Sequence, residues 1–300
     1  MILDTHIHMY PGPCDGPETF LQKAAAGGVG GGTIFSIQPH QGLGDPDGDY
    51  RWEYRLERVL EYASRTPGFI PYFRIDPQDS TVGEQIKTAA ERGIAGFKII
   101  FERCFPSEGL DGCRAVAETG LPLMFHSGIL SGGRDLLSGK FNYPIEFECM
   151  FAIRGLRFSM AHLGWPWVDD YMAMVAKAAF THAPEFGNEM FFDLTPGTPG
   201  IYREPSLRKL YLTGYHVKKR VLWGTDGAVN DYDPGLPRYW QKKDGPIFDA
   251  IVRDVAEARL PYEEPLRDHS DILELATERN WRDFNSVYLK ETFTPSSPRL

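Results

Sequence analysis

Asp4-Thr5-His6-Ile7-His8 begins after only three residues of a 300-residue chain. It alternates with the period of a β-strand, so Asp4, His6 and His8 share one face and Thr5 and Ile7 the other. Imidazoles at i and i+2 sit about 6.6 Å apart along the backbone, at ~3.3 Å per residue. Both can then reach one ion through N–metal bonds of about 2.1 Å. His-x-His is also the pattern of two solvated histidines at a strand end, so its meaning depends on what the chain brings to it.

Working outward from this strand, the chain alternates. Glu18–Ala26 reads as a helix ended by Gly27-Gly28. Further strands are expected at Thr33–Ile37, Phe69–Ile75, Ala95–Phe101, Leu121–His126, Leu156–His162, Met190–Leu194 and Val221–Asp226. Helices fall between and after them at Trp52–Arg65, Val82–Arg92, Gly112–Glu118, Ile145–Arg154, Val168–His182, Pro205–Thr213, Ile247–Ala258 and Asp271–Arg279. Eight strands alternating with helices predict parallel pairing. The count and the length favour an α/β fold of the closed (β/α)8 TIM-barrel type over an open doubly wound sheet. We expect one domain over residues 1–290 and a loose C-terminal tail over 291–300, rich in Pro, Ser and Thr.

Composition narrows the function classes. At 42% hydrophobic and 24% charged residues the chain can bury a sizeable core. A net charge of −9 disfavours nucleic acid or an anionic membrane as partner. No apolar run is long enough to span a bilayer, and no secretory signal is visible. The four cysteines, Cys14, Cys104, Cys113 and Cys149, lack CxxC spacing and read as reduced thiols, so a cytoplasmic protein is expected. The expected partner is a small-molecule substrate, and a homo-oligomer stays open.

Active sites of such barrels lie at the C-terminal ends of the strands. The first strand ends in His6 and His8. The fifth ends in Phe125-His126-Ser127, the sixth in Ala161-His162-Leu163-Gly164 and the eighth in Gly224-Thr225-Asp226. Four of the eight histidines and one aspartate therefore converge on one rim. Scattered histidines would have no reason to share that register.

With these motifs the sequence resembles the amidohydrolase superfamily. His-Ile-His, Phe-His-Ser, Ala-His-Leu-Gly and Gly-Thr-Asp match across nearly the whole barrel, and Asn280-Trp281-Arg282-Asp283-Phe284 looks like the segment that closes the last helix there. A first strand at residue two leaves no room for a side β-sandwich, which points to the sandwich-free branch of hydrolases and decarboxylases. The resemblance implies that His6, His8, His126 and Asp226 bind one divalent ion, Zn²⁺ first and Mn or Fe as alternatives. It also implies that Asp226 acts as general base and His162 as the second acid/base group. An N/O donor set with an open position suits catalytic zinc. The plain structural alternative for Asp226 is a helix N-cap.

Other residues admit several readings. Lys98, mid-strand in Gly96-Phe97-Lys98-Ile99-Ile100, is a carboxylated bridge between two metals, a cation for a substrate carboxylate, or the partner of a barrel acid such as Asp4. One metal is the preferred reading. Arg74 ends the third strand and either grips an anionic substrate by its fork or pairs with a neighbouring acid. Trp165 and Trp167 follow His162 as an aromatic wall or as packing against a helix. His40 is a lesser candidate after Pro39. His182, His216 and His269 read as surface residues. The expected activity is hydrolysis of a C–O or C–N bond in a small, carboxylate-bearing molecule. The alternatives are decarboxylation of an aromatic or unsaturated acid, and metal binding without catalysis.

Overall fold

The computed structural model describes residues 1–41, 48–130, 138–180, 187–197, 199–260, 266 and 268–293. Strands β1 (Ile2–His8), β2 (Val29–Phe35), β3 (Phe69–Arg74), β4 (Gly96–Ile99), β5 (Leu123–Phe125), β6 (Arg157–Met160), β7 (Glu189–Asp193), β8 (Val221–Leu222) and β9 (Gly227–Ala228) form one parallel sheet in the order β8-β7-β6-β5-β4-β3-β2-β1-β9. Helices α1 (Pro17–Ala26), α2 (Trp52–Ser64), α3 (Val82–Glu91), α4 (Leu110–Thr119), α5 (Val168–Phe180), α6 (Arg203–Leu212) and α7 (Gly235–Ala258) follow the strands in the expected alternation.

The eighth expected strand is broken. Val221–Leu222 pairs with β7, Gly227–Ala228 pairs with β1, and the residues between leave the ladder. Thr5 N donates to Trp223 O at 3.0 Å across this junction, so the sheet closes on itself. The break lies where Asp226 takes a left-handed conformation at φ 61°. A regular strand would carry that side chain elsewhere.

Alternation along the strands separates two sets of side chains. Ile7, Ile34, Phe73, Phe97, Phe125, Phe158 and Phe192 join the core under the helices, whereas Leu3, Phe35, Tyr72, Met124, Phe191 and Leu222 form a second cluster. That second cluster is stoppered from below by α9 (Asn280–Phe284). Trp281 Nε1 donates to Thr33 Oγ1 at 3.0 Å, and Phe284 packs on Phe191 with centroids 4.9 Å apart. Tyr72 Oη donates to Asn285 at 2.5 Å just beyond. The opposite, C-terminal rim remains for chemistry.

Several expected boundaries move. β2 starts at Val29, four residues before the expected Thr33, and takes in the run Gly30-Gly31-Gly32. A Cβ on Gly31 would fall 2.3 Å from the Gly68 carbonyl oxygen, so glycine serves close approach of two backbones. The segment expected as a helix at Ile145–Arg154 is a 3₁₀ helix, Pro144–Ala152. Pro144, Phe147, Met150 and Ile153 are buried, at the three-residue spacing of that tighter turn. α7 begins twelve residues before the expected Ile247 and runs through Pro246 despite the lost N–H. The expected Asp271–Arg279 helix is α8 (His269–Glu274), N-capped by Asp268, followed by a π turn at Leu275–Arg279. α10 (Ser286–Phe293) overruns the expected start of the tail, and residues 294–300, like His182, lie outside the described residues. No helix among the described residues is long and apolar enough to cross a membrane.

Candidate active site

At the C-terminal end of β1, His6 and His8 point to one spot with Asp226. His8 Nε2 lies 3.1 Å and His6 Nε2 3.5 Å from Asp226 Oδ1. The three ligand atoms all fall within 4.8 Å of one another. Two donors bonded at ~2.1 Å to one tetrahedral ion stand about 3.4 Å apart, so these separations are those of a ligand set. His6 Nδ1 donates to Asp193 Oδ2 at 2.9 Å, which fixes the tautomer and turns the Nε2 lone pair inward. That lone pair then faces an anionic oxygen with no hydrogen between them, and His6 Nε2 is buried without a hydrogen-bond partner. A cation between the two atoms removes the repulsion, so the residues fit a divalent ion.

The protonation states agree with this. Burial and the nearby Lys98 charge hold His6 well below the usual imidazole range. Burial lowers His8 to about 4, against the opposing pull of Asp226. Burial alone would raise the Asp226 carboxyl, but the His8 hydrogen bond and the fields of His162, His6 and His8 override it and leave the group well below its ordinary value. The set is therefore two neutral imidazoles and a carboxylate, all in the form a metal requires. The Asp226 side chain is about 33% exposed, so the cluster opens to solvent on its side.

His126 stands outside the three-atom group. Its Nε2 is buried and partnerless, burial drives its ring well below the usual range, and it packs against His162 with centroids 4.8 Å apart. His162 lies just past β6, in a left-handed conformation with φ 63° and ψ 19°. Left-handed backbone costs a non-glycine residue of order 1–3 kcal/mol. Here it swings the ring over the site, 5.2 Å from His6 by centroids. His162 Nδ1 donates to Thr195 O at 3.2 Å, leaving Nε2 as a proton acceptor.

Sequence reasoning missed the residue that organises both histidines. Asp193, at the end of β7, accepts from His6 Nδ1, from Thr195 N at 2.7 Å and from the Thr195 hydroxyl. The Asp193–Thr195 corner thereby sets the tautomers of His6 and His162 together. Its signal was an aspartate on the same strand-end rim as the histidines. Asp4 is a brace: its carboxylate accepts from His6 N at 3.1 Å, Thr225 N at 3.0 Å and Thr225 Oγ1 at 2.6 Å, tying β1 to the Asp226 corner. Burial raises its carboxyl to about 7, against those hydrogen bonds. At Gly224 a Cβ would stand 2.8 Å from that of His6 and 2.6 Å from Thr195 Oγ1, so glycine admits both side chains.

Lys98 is not the partner of Asp4, whose oxygens are taken. It is buried, its Nζ has no hydrogen-bond partner, and it sits 5.0 Å from the Phe35 ring centroid. Burial lowers its ammonium to about 7, with Asp193 opposing. Arg74 is 8% exposed beside it. Trp165 packs near Tyr202, with its indole N–H buried and partnerless. His40 is claimed by Asp76 at 2.5 Å and by Arg103 at 2.7 Å, and His269 by Asp249 at 2.6 Å. Burial pushes the Cys104 thiol up to about 12, so it is inert at neutral pH.

The amidohydrolase family model matches residues 4–257. No curated protein matches the chain. Among solved structures, a probable 2-pyrone-4,6-dicarboxylic acid hydrolase from Acinetobacter baumannii, with citric acid bound, is similar at 10% identity and TM-score 0.55, over 95% of this chain and 99% of that one. A protein from Pseudomonas putida assigned the same activity is similar at 11% identity and TM-score 0.56, over 95% and 97%. At these identities the likeness is one of fold. The match to the family model spans the barrel and its rim, and the chain belongs to the amidohydrolase family.

Proposed function

We propose that the protein is a metal-dependent hydrolase that attacks a C–O or C–N bond of a small molecule. The observation that carries the reading is the convergence of one donor atom each from His6, His8 and Asp226 within 4.8 Å, beside the ring of His162. His6, His8 and Asp226 would hold one divalent ion, zinc by the character of the donors, and His126 offers a further nitrogen. When bound, such an ion supplies Lewis acidity to a substrate oxygen and makes water acidic.

The chain's own residues then divide the proton work. Asp226 is ionised at neutral pH and exposed on one side, so its free oxygen can take a proton from the attacking water. His162, whose Nε2 is left unprotonated by the Nδ1 bond to Thr195, would take up the proton that Asp226 removes from water and deliver it to the leaving group. Asp193 keeps the His6 ring from turning. The two dicarboxylic acid hydrolases of similar fold lend the hydrolytic reading support by analogy. Decarboxylation on the same scaffold is the competing reaction, and it needs no nucleophilic water.

Zinc loading, followed by a screen of lactones, amides and carboxylic acids in isotopically labelled water, tests the reading. A hydrolase places one solvent oxygen in the product. Turnover that releases carbon dioxide and incorporates no label would establish the decarboxylase instead.

A further inference from the structure

A narrow cleft opens between the ends of β3 and β4, and its lining includes His40, Arg74, Asp76, Lys98, Glu102 and Arg103. At the outer end the charges cancel. Asp76 Oδ2 accepts from Arg103 at 2.8 Å and is 2.5 Å from His40 Nε2. The inner end is different. Arg74 and Lys98 are direct register partners on adjacent strands, both line the cleft, and both are more than nine-tenths buried. Among the described residues no acid comes within ion-pair distance of either. Glu102 lines the same cleft but forms no ion pair with Arg74 among those residues. Asp193 is committed to His6 and Thr195, and Asp226 to the two histidines. The direct contact that offsets the Lys98 charge is the face of Phe35, with the more distant fields of Asp193 and Asp226 behind it.

Two adjacent buried cations that only distant carboxylate fields offset, with no ion pair to either among the described residues, destabilise a fold. Apolar side chains of similar size would pack the space at less cost, so this pair is arranged for something that arrives. One wall joins it to the metal-binding cluster: the Phe35 ring lies under Lys98 and also packs on His6 at 4.7 Å and His8 at 5.3 Å by centroids.

We propose that Arg74 and Lys98 together form an anion subsite that takes one carboxylate of the substrate, Arg74 through its planar fork and Lys98 through its ammonium. The assignment deepens the hydrolase reading and rests on it for the word substrate. The subsite itself is a claim about binding. A planar two-oxygen anion matches the guanidinium fork, and the second cation neutralises what the fork leaves. The bond to be broken then lies on the side of the carboxylate that faces His162 and Asp226, across Phe35.

The full chain, as purified, is titrated with succinate, with its uncharged diamide and with inorganic phosphate. Binding is followed by calorimetry and stability by thermal denaturation. Succinate is expected to bind and the diamide not to bind. Arg74→Met and Lys98→Met should each weaken succinate at least tenfold, and Arg74→Lys should fall between wild type and Arg74→Met. Both Met variants should also melt higher than wild type without ligand, by a few degrees, because an unpaired buried charge has gone. Equal binding of succinate and diamide, or wild-type affinity in the Met variants, would overturn the subsite. So would a lower Tm in both Met variants, the mark of structural cations. Phosphate binding more tightly than succinate would overturn the carboxylate assignment. Should the chain turn out to be no hydrolase in the labelled-water experiment, the succinate results stand independently.

Discussion

His6 and Asp193 meet across the barrel, Nδ1 to Oδ2, at 2.9 Å, although 187 residues separate them in sequence. The contact decides which nitrogen of His6 is available to an ion. Asp193→Ala should therefore lower zinc affinity by about 10- to 100-fold, the usual cost of losing such an outer partner. Competition titration with a chelating dye measures it. Thr195 also loses its anchor in this variant, so the His162 ring gains freedom and turnover should fall further than metal occupancy. Wild-type zinc affinity in Asp193→Ala would show that the ring is held by packing alone.

His162 and the proposed metal ligands should separate experimentally. His162 Nδ1 is tied to Thr195 O, which leaves Nε2 to exchange a proton, and its ring lies against those of His6 and His126. Its role as acid/base group predicts that His162→Asn keeps metal and fold and loses roughly 10²- to 10⁴-fold in kcat. His6→Asn and Asp226→Asn should instead lose metal, since each removes a donor. Metal stoichiometry and kcat on the three variants distinguish the roles. Loss of metal from His162→Asn as readily as from His6→Asn would make it a ligand.

How much of this was legible in the sequence follows from how each residue reaches the site. His6 and His8 sit inside a regular strand, so period-two alternation places them correctly. Their rim was findable because alternating strands and helices bury one end of a barrel and leave the other to loops. His162 and Asp226 reach the site through left-handed backbone, at φ 63° and φ 61°, a conformation that His and Asp enter more often than most non-glycine residues but too rarely to be forecast at a single position. Their motifs point to the right rim, but the broken eighth strand and the turned-back residue after β6 are consequences of tertiary contacts. Asp193 is legible only as an acid at a strand end, and the contact that gives it meaning is made across the barrel. The Lys98–Asp4 pairing fails for a similar reason. Asp4 is satisfied by Thr225 and the His6 backbone, partners that only the closed sheet supplies.

Acid stability should depend on Asp76. Burial would raise its carboxyl, but the His40 hydrogen bond, the Gln78 N–H and the charges of His40 and Arg103 bring it down to about 2. Its folded pKa thus lies below the unfolded value of about 3.9. The contribution is then fully present above pH 5 and lost as pH falls through 2, and a shift of that size corresponds to roughly 2–3 kcal/mol. Asp76→Asn should melt several degrees below wild type at pH 7, and the gap should shrink below about pH 4 and close only below about pH 2. A gap independent of pH would mean that the carboxylate is not what stabilises the corner.

Metal binding should register as stability. A ligand at 100 times its Kd stabilises the folded state by about 2.7 kcal/mol, and excess zinc should raise Tm by roughly 4–5 °C for a chain of this size. A chelator should reverse the rise. About one ion per chain is expected by elemental analysis, with Lys98 unmodified. Two ions per chain, with extra mass on Lys98, would replace the single-ion reading.

His126 gives the sharpest test of the ligand set. His6, His8 and Asp226 present their donors within 4.8 Å of one another, and His126 lies beyond that group, against His162. Its Nε2 is nonetheless buried, neutral and without a partner. A polar nitrogen in that condition costs about 1–3 kcal/mol, and a bound ion would accept its lone pair. The expected outcome is that His126→Asn weakens zinc at least tenfold while leaving His6, His8 and Asp226 able to bind it. The zinc-induced rise in Tm should shrink without vanishing, whereas in His6→Asn it should be lost. Unchanged affinity in His126→Asn would limit the protein ligands to three and free His126 to act beside His162 on the substrate.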